Sequence, residues 1–366
     1  MGAQSTVDIE TCERSSSPAC PGDAAPGGFI AVEQAVFTSL PSAGASGYRI
    51  VSASHGLRPE ERQEIVQRCP SHESLTDDGA SAEALCSWTF RSGRHAVAWS
   101  RHAELEHTGR GGYRVHTQVA VLDTASYERF EFHPVRVYAA MLEAQDAAPA
   151  DGTESNAGYL HLPDPASTTS AWLSALGIGC NREAIFAILE AVLAGRSVIV
   201  TGLNSPFAAL DAALAATPLS LRVGLSICTG LKYSPARPAR IIVLDGDCEE
   251  ARRLTRGQAI EWLDAAALPT PPGDTAGGWP EMARRWWVDG RRRQLCQLAA
   301  RITFEATPAA LERIAILCQD ADAAETVDAA GVEQLAERYA GFQPVNPLEC
   351  DLVKRIHSVL SSRSAI

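Results

Sequence analysis

Tyr113-Arg114-Val115-His116-Thr117-Gln118-Val119-Ala120-Val121-Leu122 is the stretch on which the fold turns. Val115, Thr117, Val119 and Val121 recur at every second position, and Arg114, His116 and Gln118 fill the places between. Side chains alternate across a strand, so this period of two predicts a β-strand with one apolar and one polar face. Just upstream, Cys86 to Arg91 and His95 to His102 read as two further strands, with Ser92-Gly93 as the hairpin turn. Further back, Phe29 to Ser39 and Tyr48 to Ser54 read as strands joined through Pro41-Ser42-Ala43-Gly44. Pro59-Glu60-Glu61 opens a helix with proline in its first turn and acids at its positive end, and Ile65 and Val66 are expected to face the sheet. A helix around Val135 to Ala144 completes the order β-β-α-β-β-β-α.

Downstream the period changes. Ile185, Ile188, Leu189, Val192 and Leu193 fall at i, i+3, i+4, i+7 and i+8, which predicts a helix over Arg182 to Ala194 with one continuous apolar stripe. Gly195 supplies its left-handed stop. Ser197-Val198-Ile199-Val200-Thr201 reads as a short buried strand, and Ser205-Pro206 as cap and first residue of a helix over Phe207 to Ala216. Leu221 to Cys228 and Ile241 to Leu244 read as strands, and Asp247 as the cap of a helix running towards Leu268. Strand, helix and strand with short connections imply a parallel sheet covered on both faces. From Pro280 onward only helices are expected: Pro280 to Arg301, Pro308 to Gln319, Gly331 to Tyr339 and Leu348 to Leu360.

The fold class expected is therefore α/β and two-lobed: an antiparallel sheet with helices, then an α/β parallel-sheet lobe, then carboxy-terminal helices. The chain of 366 residues fits about two ordinary domains. Pro/Gly-rich stretches at Asp146 to Gly158 and Thr270 to Pro280 place the units at 29–145, 158–269 and 280–366. The first 28 residues are rich in Ser, Pro, Gly and Ala without an apolar run, which predicts a disordered tail and no signal peptide.

Composition narrows the function. Hydrophobic residues make up 46% and charged residues 21%, an ordinary globular mixture. Acidic residues outnumber basic ones by 44 to 32, giving a formal charge of −12. Such a field repels phosphate backbones and anionic lipids, so neither nucleic acid nor a membrane surface is an expected partner. No run approaches the roughly 18 apolar residues of a membrane span, and a cytoplasmic location is expected. The ten cysteines contain no CxxC pair, and several lie in apolar segments, where reduced cysteine behaves as a small hydrophobe.

Catalytic signatures are missing. Neither lysine follows a glycine, so no P-loop is present; Gly-x-Ser-x-Gly, His-Glu-x-x-His and Gly-x-Gly-x-x-Gly are absent as well. His95, His102, His107, His116 and His133 crowd one stretch, but strand alternation scatters them, so neither a metal site nor any cofactor is expected. Ser52-Ala53-Ser54-His55-Gly56 sets hydroxyls beside an imidazole without a third member, and reads first as a strand end turning at Gly56. Arg284-Arg285-Trp286-Trp287 with Arg291-Arg292-Arg293 has the composition of a basic-aromatic patch, yet on a helix Met282, Trp286 and Leu295 can face inward. The most distinctive segment is Glu106-His107-Thr108-Gly109-Arg110-Gly111-Gly112. Its glycines permit a tight loop displaying Arg110, either as an anion or partner contact or as an exposed turn.

Three segments together carry a resemblance: Glu33-Gln34-Ala35-Val36-Phe37-Thr38-Ser39, Gly47-Tyr48-Arg49-Ile50-Val51-Ser52-Ala53-Ser54-His55-Gly56-Leu57, and Glu106 through Thr117. They resemble the amino-terminal domain of bacterial GTPase-associated proteins, over roughly residues 29–140. The resemblance implies a partner role beside a small GTPase and other proteins of an NTP-dependent conflict system, as an adaptor or regulator. It transfers no catalytic residues. More distantly, the order of the first unit is similar to a longin domain. The segment from Leu162-Pro163-Asp164-Pro165 through the helix after Ser205 is similar to the centre of DENN modules, which bind small GTPases and in some cases promote exchange. The contact surface expected from these readings is Glu106, His107 and Arg110 on the loop, with Arg114 and His116 on the polar strand face. A non-catalytic role is favoured; a divergent hydrolase or effector using Ser54 and His55, and a structural scaffold subunit, are the alternatives.

Overall fold

The computed structural model describes residues 28–40, 47–77, 79, 82–105, 112–146, 158–165, 176–177, 179–244, 249, 252–253, 255–268 and 278–364. The chain is a mixed α/β protein built on one large sheet, mostly antiparallel, with a helical carboxy-terminal part.

The first five strands are β1 (Phe29–Ser39), β2 (Tyr48–Ala53), β3 (Glu83–Thr89), β4 (His95–Leu105) and β5 (Tyr113–Leu122), all antiparallel neighbours in the order β3-β4-β5-β1-β2. Helix α1 (Pro59–Arg68) covers one face; α2 (Thr124–Arg129) and α3 (Pro134–Asp146) follow β5. The alternation along β5 is what makes this a two-sided sheet. Val115, Val119 and Val121 pack with Ile65 of α1, whereas Ala120 and Leu122 pack with Val137 and Met141 of α3. Val66 departs from expectation: Ile65 is buried but Val66 points to solvent, because adjacent helical positions lie about 100° apart and only one can face the sheet. The short α2 was not legible as apolar periodicity; the Asp123 carboxylate accepts the Ser126 N–H at 2.7 Å and starts it.

The same sheet continues into the second half of the chain. Strands β7 (Ser197–Thr201), β8 (Ile227–Thr229), β9 (Ile241–Leu244) and β10 (Ile260–Asp264) run parallel in the order β10-β7-β9-β8, and β8 pairs antiparallel with β3 through Leu85↔Thr229 and Cys86↔Cys228. Strand β6 (Leu160–Pro163) pairs with the first four residues of β1. Helices α4 (Arg182–Leu193) and α5 (Pro206–Ala216) cover the parallel part, and Gly195 ends α4 with φ 71°.

Several expected elements are corrected. Leu221 to Cys228 is not one strand: Leu219–Arg222 is a short helix, α6, and only Ile227–Thr229 is extended. The buried Arg222 guanidinium decides this by donating to the carbonyls of Thr217 and Ala215 at 2.8 and 2.9 Å, which caps α5. The helix expected from Asp247 to Leu268 is present at Glu249, Arg252 and Arg253, but its second half gives way to strand β10, whose backbone completes the free edge of β7; Asp247 itself lies outside the described residues. Ser205 precedes α5 without a side-chain cap. Pro280 to Arg301 is two helices, α7 (Trp279–Val288) and α8 (Arg292–Ala300), broken where Gly290 adopts φ 75°. The remaining helices are α9 (Pro308–Ala324), α10 (Ala329–Ala340) and α11 (Pro347–Ser364). Met282, Trp286, Trp287 and Leu295 are buried among them, joining the core beneath α4 and α5.

Candidate functional site: the open polar end of the antiparallel sheet

Register builds a row that no single segment reveals. Glu83 of β3 lies opposite Arg101 of β4, Arg101 opposite His116 of β5, His116 opposite Thr38 of β1, and Thr38 opposite Arg49 of β2. Directly opposed residues of antiparallel strands share a face, so five strands contribute to one polar row. It lies on the face that α3 covers only in part. Tyr138 of α3 donates its hydroxyl to Glu83 at 2.6 Å, and Gln145 of α3 donates to Gln118 at 2.5 Å. Beyond those contacts Arg101 and Glu83 are exposed.

Each side chain has a fixed posture. The Arg101 guanidinium lies over the Trp99 ring, 4.9 Å from its centre. Arg114 donates to the Ser39 carbonyl at 3.0 Å and lies 3.5 Å from Glu104, a carboxylate exposed enough for water to screen most of their attraction. His116 is held neutral: burial, then the charges of Arg101 and Arg114, bring its imidazole down to about 4. The row therefore presents arginine charge on a molecule that is acidic as a whole, and a guanidinium grips a carboxylate through paired N–H donors.

Arg114 and His116 thus stand where the sequence put them, on one face of β5, while Glu106, His107 and Arg110 lie outside the described residues. Arg49, Arg101, Glu83 and Tyr138 were missed. Arg101 shares a face with Trp99 in the period of β4, but only the pairing register sets it beside His116.

The Ser54–His55 pair does not converge. The Ser54 hydroxyl is buried, accepts the Gln34 N–H at 2.8 Å and donates to the Gln34 carbonyl, which pins the end of β2 to β1; His55 is exposed. The histidines are dispersed: His95 against Tyr127, His102 on the Gly79 carbonyl and Tyr113, His133 beside Asp211. Among the described residues no group of three metal-ligating side chains assembles, and no helix is long and apolar enough to cross a membrane.

An antiparallel sheet flanked by α1 on one face and α3 on the other, with Glu83 and Arg101 exposed on its polar row, makes this part of the chain a mixed α/β unit. Residues 31–157, which take in that sheet from the third residue of β1 to β5, match the family described as GTPase-associated protein 1, N-terminal domain type 2. No curated protein matches the chain.

Proposed function

We propose that this protein is a non-catalytic adaptor or regulator that binds a small GTPase, within a bacterial NTP-dependent conflict or signalling system. The observation that carries the reading is that the arginine row of β1 to β5 falls inside the segment matching a GTPase-associated domain. The proposed contact surface is Arg49, Arg101, Arg114 and His116 on one face of the sheet, together with Glu106, His107 and Arg110, which lie outside the described residues. Such a surface complements an acidic patch, and charge complementarity of this kind raises the association rate and selects the partner. The order β-β-α-β-β-β followed by helices supports the likeness to a longin lobe, and the parallel strands that follow are in keeping with a DENN-like continuation. Exchange activity needs no nucleophile, only tighter binding to one nucleotide state of the partner.

The test is capture of a small GTPase from the same genome, loaded with GDP, with a non-hydrolysable GTP analogue, or stripped of nucleotide. Retention by the wild-type chain, weakened at least tenfold by Arg101→Glu, is expected. Absence of retention in all three states overturns the proposal. A hydrolytic role for Ser54 is disfavoured by its two backbone bonds; turnover of an ester probe that Ser54→Ala abolishes would restore it.

A further inference from the structure

A second charged feature lies away from the sheet, where the carboxy-terminal helices meet the turn before α3. It is a pocket of about 630 Å³ among α7, α8, α9 and α11, and its walls carry five arginines: Arg136, Arg291, Arg293, Arg301 and Arg355. Only two carboxylates line it, Glu131 and Asp322. Both are already committed. Asp322 accepts from Arg291 at 2.5 and 3.1 Å and from the Trp286 indole at 3.3 Å, while Glu131 is shared between Arg136 and the buried Arg222 at 3.0 and 3.1 Å. The other three arginines are poorly neutralised. Arg301 and Arg355 reach Asp351 and Glu325, each about half exposed and therefore weak partners, and Arg293 pairs with no carboxylate among the described residues. Counting Arg222, six arginines thus face four carboxylates around one concavity, an excess of two positive charges in a chain with formal charge −12.

The floor is of a different character. Cys296, Leu298, Cys318 and Leu352 line it, all buried. An apolar floor under a few convergent polar groups, within roughly 300–1,000 Å³, is the usual build of a small-molecule site. A single carboxylate would leave one of those two charges unmatched, whereas a polyphosphate group offers several charged oxygens to several guanidinium forks at once. We propose that this pocket binds a polyphosphate-bearing small molecule whose apolar or aromatic body rests on the Cys296–Leu352 floor. The site stands apart from the GTPase-binding surface and does not depend on it. Because Glu131 and Arg136 lie some 150 or more positions before the other walls, an occupant touches segments far apart in the chain.

Isothermal titration of the full chain with ATP, pyrophosphate and adenosine tests this. Saturable binding of ATP, weaker binding of pyrophosphate and none of adenosine are expected. Arg293→Glu with Arg301→Glu, both exposed and outside the core, should weaken ATP at least tenfold with an unchanged melting temperature. Failure of both anions to saturate, or wild-type affinity in the double variant, overturns the site; pyrophosphate binding as tightly as ATP overturns the role of the floor. Arg293→Gln alone gives a second, milder reading, in which an unchanged affinity again counts against the proposal.

Discussion

Glu61 has no exposed side-chain surface, yet it is ionised. Burial alone would raise its carboxyl; hydrogen bonds from Arg94, Ser92 and the Arg58 backbone outweigh that and hold it below its ordinary value. The group ties α1 to the β3–β4 hairpin. Glu61→Gln leaves the Arg94 charge without its partner, and a loss of roughly 3 kcal/mol is expected in urea unfolding at pH 7. A depressed carboxyl gives stability that is complete above its ordinary 4.5 and lost as pH falls through the lower folded value, so the variant should show a shallower acid decline below that point. His116 acts in a neighbouring window. Its imidazole titrates at about 4 when folded against 6.5 ordinarily, so the unfolded chain binds the proton first and stability drops as pH falls from 6.5 towards 4. His116→Asn should remove that slope, read as melting temperature against pH. Gly230 is a steric matter: at φ 74°, an added Cβ would stand 2.2 Å from the Glu83 carbonyl oxygen. Gly230→Ala should cost about 1–3 kcal/mol by pushing β8 off β3.

At the scale of elements, α1 shows how little of a helix decides its attachment. Its sequence is mostly charged, and Ile65 is its one fully buried apolar residue, packed against the valine face of β5. Ile65→Ala is expected to cost about 2–5 kcal/mol, whereas Val66→Ala, on the solvent side, should change the midpoint of unfolding hardly at all. The pair of variants separates packing from helix propensity, because both replace a β-branched residue with alanine. Helices α7 and α8 follow a related logic: Trp286 and Trp287 are buried, and Arg291 and Arg292 stack on their rings at 4.1 and 4.7 Å. The basic and aromatic residues that resembled a nucleic-acid patch thus pack on one another.

For the whole molecule, the junction of β3 with β8 is decisive. It makes the antiparallel and parallel strands one sheet, and the core beneath α3 continues without a break to α4, α5 and the last helices. Arg222 reinforces the junction by reaching Glu131, ninety-one positions earlier in the chain. Heating the full chain is therefore expected to give one calorimetric transition. A fragment of residues 28–157 would expose the hydrogen-bonding edge of β3 and the apolar face of α3, and should associate in light scattering rather than remain monomeric. A fragment that stays monomeric with a native-like transition would show that the first unit does not need the second.

Local periodicity was enough to find most elements, because alternation and the 3.6-residue repeat are properties of neighbouring residues: Phe29–Ser39, Tyr113–Leu122, Ser197–Thr201 and Ile241–Leu244 agree residue for residue. It failed where a distant partner set the outcome. Ile260–Asp264 became a strand because β7 offered an unpaired edge, and Leu219–Arg222 became helix because Arg222 caps α5. The candidate site divides in the same way. Arg114 and His116 could be assigned to one face of β5 from alternation alone, but their neighbours Arg101, Arg49 and Glu83 are brought there by register, and the arginine pocket draws walls from residues 131 to 355. Register and pocket walls depend on which strands and helices meet, and that is fixed by the burial of both sheet faces at once, a condition satisfied only by the assembled chain.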